Sequence, residues 1–460
     1  MKKFKNTIIP NKPIYFGRKD ELDYRAICIF MATGFFLDND TYFLGQKTLK
    51  PAHICTLDNQ NIIQEKPYFK WHYTPIERPL KEIVQEFAEL FEQIIAEQIG
   101  NKNVILPLSG GLDSRTLAVA LKHLNKNVTT YSYSFTNGLD ENRYGKKIAE
   151  QCNFTFHDLR ISEGYLWNKI EELAQINQCY SEFTHPRQMA FIDSYKTMGD
   201  VFSLGHWGDV LFDDMGVDDQ LSFEEQVAII IKKIVKKGGL ELANTLWKSW
   251  NLEGNFETYL HRRVSELLQE INITESANAA IRAFKSSYWA TRWTSTNLSV
   301  FEHVKPITVP YYDDRMCKFI CSIPEKYLAG RQIQIEYIKL RNPKIAKIEW
   351  QGERPFNLYN YKYNTFPYNL PYRVFSKVKR LFNTKKFIQR NWELQFLGNE
   401  NEQELKNYLF NNQHLNKLVN PDIVNDFYQK FKTKDNVFYS HPISMLLTLS
   451  LFLKNNKINK

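Results

Sequence analysis

The chain has 460 residues, 43% hydrophobic and 24% charged, a composition that excludes disorder and a membrane-embedded chain and predicts two or three domains. The net charge is +9, but eight basic residues and no acid fall between positions 362 and 390. Taking those eight away leaves +1 for everything else, so the body is not a general nucleic-acid binder.

In chain order, residues 1–75 read as short β segments, with Cys28 inside one and turns at 38–40 and 58–60. Leu80, Ile83, Val84, Phe87, Leu90, Phe91, Ile94 and Ile95 recur at helical spacing, and Gly100 stops that helix. The rhythm then changes. Residues 104–108 form a short apolar strand, 115–124 a helix, 128–135 a strand, 141–152 a helix and 154–159 a strand, with a further strand at 201–204. This alternation predicts an α/β fold, a parallel sheet with helices on both faces. Helical patterns dominate 221–340, and an amphipathic helix is expected over 374–387. The expected division is a β region at 1–78, the α/β domain at 79–356 and a basic, mainly helical part at 357–460. The six cysteines are too sparse for a disulfide framework. Pro10 and Pro13 interrupt any signal-type run, and the apolar stretches at 26–36 and 443–453 are shorter than the ~20 residues that span a bilayer. A cytoplasmic protein without integral membrane association is expected.

The segment Leu106-Pro107-Leu108-Ser109-Gly110-Gly111-Leu112-Asp113-Ser114 runs from the 104–108 strand into the next helix. Glycines let backbone N–H groups approach a phosphate, and a helix N-terminus adds partial positive charge at the same spot. Asp113 would repel a bare phosphate, so a divalent cation between them is implied. There is no Gly-Lys-Ser/Thr, which excludes a Walker loop. The alternative is an ordinary turn with Asp113 as a helix cap. The full string resembles the PP-loop, S-G-G-x-D-S, of the ATP pyrophosphatases, which split ATP between its α and β phosphates.

Three more segments resemble the asparagine synthetases: 204–212 (Leu-Gly-His-Trp-Gly-Asp-Val-Leu-Phe), Glu302 with 309–313 (Val-Pro-Tyr-Tyr-Asp), and Asp140-Glu141 ahead of a helix. Residues 34–68 are similar to the end of that family's N-terminal glutaminase domain. The chain resembles an asparagine synthetase with most of that domain missing. The family's glutaminase uses an N-terminal cysteine, and position 2 here is Lys2, so no glutamine hydrolysis is expected.

The resemblance implies a PP-loop fold and an ATP-dependent amide-forming ligase with ATP and Mg²⁺ as cofactors. It assigns Pro107 and Tyr133, with Leu204 and Gly205 beside them, to the adenosine. Ser109, Gly110, Gly111, Leu112, Asp113 and Ser114 are assigned to the phosphates, and Asp113 and Asp209 to the metal. His206 stands where the family has a glutamate base, and either a base or a structural histidine suits it. Val210 replaces a second acid. Gly352 stands in place of a lysine, whose charge Arg354 or Lys347 could supply. The catalytic residues expected are therefore His206, Asp209 and Arg354. The partners are a small carboxylate (aspartate or a related acid) and ammonia or an amine, with a separate amidotransferase as one nitrogen source. Alternatives are a lactam or peptide tailoring cyclase, a non-catalytic ATP-binding protein and a tRNA-modifying enzyme. The basic stretch reads first as a solvated face, with RNA or an anionic membrane surface as the functional readings.

Overall fold

The computed structural model describes residues 2–58, 61–139, 141–382 and 387–456. Its N-terminal part holds β1 (Lys2–Lys5), β2 (Tyr15–Gly17), β3 (Gln46–Thr48), β4 (His53–Asp58) and β5 (Asn61–Pro67). An antiparallel sheet of order β1-β4-β5 and a β2-β3 pair result, as expected of a small β remnant. One expectation fails there. Cys28 lies not in a strand but in helix α1 (Tyr24–Thr33). The Asp23 carboxylate accepts from the Ala26 amide to start it, and Gly34, at φ 81°, ends it. Every residue from Ala26 to Thr33 is buried, so no polar face marks a helical period.

After α2 (Leu80–Ile99) come β6 (Val104–Pro107), α3 (Leu112–His123), β7 (Val128–Phe135), α4 (Asn142–Cys152), β8 (Thr155–Ile161), α5 (Tyr165–Asn177), β9 (Val201–Ser203), the short α6 (Gly208–Leu211) and β10 (Ile307–Thr308). The five strands β6–β10 form one parallel sheet of order β10-β9-β6-β7-β8, flanked by helices. Central β6 is followed on one side by β7 and on the other by β9. The chain therefore reverses direction across the sheet at β6, and ligands bind at such switch points, outside the carboxyl ends of the strands.

The last helix, Asn436–Asn456, is long and apolar enough to cross a membrane by length and composition, but 72% of its most apolar stretch is buried inside the protein. Phe452 stacks on Tyr42 with centroids 3.5 Å apart, and His441 Nε2 lies 2.9 Å from the Met31 carbonyl. These contacts pack the helix against the N-terminal part, and one core runs from Ile8 to Leu453. The amphipathic helix expected at 374–387 is seen as Leu370–Phe382. Positions 383–386 lie outside the described residues, as does Asp140.

Candidate active site

The turn between β6 and α3 sits at the switch point. Three successive amides there are held by side-chain oxygens: Ser109 N–H donates to Ser114 Oγ (3.0 Å), Gly110 N–H to Gln351 Oε1 (3.2 Å) and Gly111 N–H to Ser109 Oγ (3.2 Å). Gly110 is glycine because there is no room for more. A Cβ there would lie 2.7 Å from both Gln351 Cβ and Tyr144 Cβ. Arg115, wholly buried, fastens the turn by donating to the carbonyls of Gly110 (3.2 Å), Ile348 (3.0 Å) and Glu349 (2.8 Å).

Two cavities open at this turn and share Pro107, Ser109 and His206. The first, about 530 Å³, is lined by Tyr133, Glu141, Arg187 and Gln351 among others. The second, about 430 Å³, collects Gly111, Asp113, Ser114, Leu204, Gly205, Asp209 and Lys285. The expected residues are thus brought together, with Leu204 and Gly205 on the second cavity rather than beside Tyr133. Three do not line either cavity. Leu112 points into the core, Gly110 is covered by Gln351, and Arg354 instead lies 3.6 Å from Glu141 in a half-exposed ion pair.

Asp113 is gripped by Arg331 and accepts from Gln334 Nε2 at 3.1 Å, both on Oδ1. Burial raises its carboxyl to about 6; Arg331 pulls against this, and the Asp209 charge adds to it. A Cβ on Gly208 would collide with the same Oδ1. Arg331 and Trp207, which precedes α6, both hold left-handed backbone, φ 62° and 75°. Such conformations are uncommon for large side chains and collect at functional sites. Burial lowers His206 to about 4, with Asp209 opposing, so its imidazole is neutral at pH 7; its Nδ1 is covered and has no hydrogen-bond partner among the described residues. Lys285 is lowered to about 8, chiefly by burial, and stays mostly charged.

Sequence reasoning missed Arg331, Gln334 and Lys285. They lie 172 or more positions downstream of Asp113, and no motif marks them. It also missed Arg282. This buried guanidinium makes two 2.6 Å bonds to Glu325 and donates to the carbonyls of Val210 and Asp213, anchoring the segment that carries Asp209. Breaking such a pair strands a buried charge, so Glu325→Ala should cost about 3–5 kcal/mol, read as a lowered urea midpoint.

As to a metal, no group of three or more His, Cys, Asp or Glu is gathered among the described residues. Mg²⁺ commonly takes one or two carboxylates plus substrate phosphates. Asp113 and Asp209, on one wall of the second cavity, fit that requirement.

A glycine turn at the switch point of a parallel sheet, facing two carboxylates and a lysine, is the kind of cleft in which α/β proteins take an anionic ligand. The family model named Asparagine synthase matches residues 86–334, more than half of the chain, and the protein belongs to that family. No curated protein matches. Among solved structures, the NMN synthetase from Francisella tularensis is 14% identical, over 30% of this chain and 58% of that one, with a TM-score of 0.22.

Proposed function

We propose that the protein condenses a carboxylic acid with ammonia or an amine in two steps, releasing pyrophosphate and then AMP. In the first step a carboxylate oxygen attacks the α-phosphorus, the bond from that phosphorus to the bridging oxygen breaks, and pyrophosphate departs. In the second the nitrogen attacks the acyl carbon, the carbon–oxygen bond to AMP breaks, and the nitrogen gives up a proton.

The observation that carries this reading is the convergence of Ser109 and Gly111 of the turn with Asp113, Asp209 and Lys285 around one cavity. The adenosine is assigned to the first cavity, beside Pro107 and Tyr133. Phosphate oxygens, being charged acceptors, would displace Ser114 Oγ, Gln351 Oε1 and Ser109 Oγ from the amides. Mg²⁺ held by Asp113 and Asp209 would neutralise charge on the departing pyrophosphate. Arg331 and Gln334 fix the Asp113 carboxylate. Lys285, on the cavity wall, supplies the cation for which the sequence offered Arg354. His206, neutral and shared by both cavities, takes the proton from the nitrogen.

All six cysteines are buried, and burial raises every one of their thiols. None is an activated thiolate, which supports ammonia, an amine or a separate amidotransferase as the nitrogen source over glutamine cleaved here. The test is ATP–pyrophosphate exchange across a panel of carboxylic acids. A protein that binds ATP yet exchanges with none of them is not this ligase.

A further inference from the structure

The second cavity is more than a seat for phosphates. Trp207, Trp289 and Trp293 also line it, and two of them come from unusual backbone. Lys285–Thr294 is a π-helix inserted between the α-helices Ala277–Phe284 and Ser295–Val304. π-helical turns are rare and occur frequently at functional sites. This one brings Lys285, Trp289, Trp293 and Thr294 to the same wall.

The rings are fixed by their neighbours. Phe35, from the N-terminal part, stacks on Trp289 at 5.8 Å and 10°. The His185 ring lies 4.3 Å from that of Trp293, and burial keeps it uncharged by lowering it to about 3. The Lys236 ammonium lies 5.0 Å from the Trp289 ring and 5.6 Å from the Trp293 ring. Trp207 is held by a 3.0 Å bond from its Nε1 to Ser286 Oγ. Fixed aromatic faces offer a large contact area that costs little ordering on binding.

Beside these neighbours part of the Trp289 and Trp293 rings lines the cavity, and a short polar acid such as aspartate would leave that apolar surface uncovered. We infer that the acid activated here carries a flat apolar body that lies against Trp289 and Trp293, with its carboxylate turned toward the glycine turn. This rests on the ligase reading and names the substrate class of the same site.

The test is ATP–pyrophosphate exchange by the full chain with Mg²⁺, comparing succinate, aspartate and phenylsuccinate, the last being succinate plus one aromatic ring. The expected result is a kcat/KM for phenylsuccinate at least about tenfold above the other two, the scale of discrimination an apolar pocket provides. Trp289→Leu and Trp293→Leu should each erase the advantage. The comparison on the unaltered protein decides the matter even if a variant folds poorly. Equal or better exchange with aspartate or succinate overturns the inference and leaves the ligase standing. Exchange with no acid overturns both.

A separate observation concerns residues 359–377. Phe366, Phe375, Tyr368, Tyr363 and Val374 stand 76, 66, 64, 54 and 53% exposed, and the exposed Lys362, Arg373 and Lys377 lie among them. Scattered apolar residues on a surface need no explanation, but these five fall within thirteen positions of the chain and the Tyr363 and Tyr368 rings meet at 5.2 Å, and such clustering marks an interaction site. We further propose that this face docks on an anionic lipid surface. Apolar side chains interleaved with Lys and Arg suit an interfacial segment. The run from 362 to 390, with eight basic residues and no acid, would repel a second copy of itself but is attracted to anionic headgroups.

The test is co-sedimentation of the full chain with phosphatidylcholine vesicles, with and without phosphatidylglycerol. Binding should require phosphatidylglycerol, weaken with salt and disappear in the double variant Phe366→Ser, Phe375→Ser. Three results overturn the proposal: equal or absent binding on both vesicles, a dimer that the same variant disperses, or tRNA binding in place of lipid binding.

Discussion

Asp113→Asn should abolish ATP–pyrophosphate exchange, by about 10³-fold or more, the scale of losing a central electrostatic contact to a departing oxyanion. The carboxylate is the acid of the glycine turn itself, partly buried beside Arg331, and lines the same cavity as Asp209. Asparagine keeps an Oδ1 acceptor for Arg331 and Gln334, so the fold should hold and the thermal midpoint should move little. ATP itself should still bind through the turn amides, which the substitution leaves in place. The informative readout is therefore exchange measured beside nucleotide affinity. Exchange retained within tenfold would remove Asp113 from the metal site and return it to the plain role of a charge in the first turn of α3.

His206→Ala should divide the reaction. Pyrophosphate exchange needs only the first step and should survive. Amide formation should fall by about 10²–10⁴-fold, the usual worth of a positioned base. The pH dependence follows from the lowered imidazole. Its ordinary value is 6.5, and here burial brings it to about 4 while Asp209 opposes. The groups around it are Asp209, the neutral His185 and the Phe301 ring. A base is active when deprotonated, so the contribution of His206, read as the ratio of native to alanine-variant rates in which the Asp113 limb near 6 cancels, should stay level from pH 8 downward and fall only near pH 4. In the alanine variant that limb should vanish. A limb at 6.5 in that ratio, or exchange lost together with amide formation, would show that His206 acts in another way.

Much of this site is legible along the chain because its parts are local. An apolar run, two glycines and an acid within eleven residues suffice to place β6, the turn and α3. The alternation through β8 predicts the parallel sheet, since strands buried on both faces read as continuous apolar runs. Helix α1 escapes for the same reason in reverse: it is covered on every side, and the polar face that would betray its period is missing. Asp209 was found by its motif, and the sequence also showed that the family's lysine is gone.

Which cation lines the second cavity is decided in three dimensions. Arg354, the nearest cation along the motif, turns away to Glu141. Lys285 reaches the second cavity from a π-helix that no propensity predicts, and Arg331 reaches Asp113 across 218 positions. Sequence patterns report the period of a segment and the chemistry of its neighbours. Which distant charge faces an acid depends on how helices pack around the sheet, and the close packing of the interior fixes that only once the whole chain is folded.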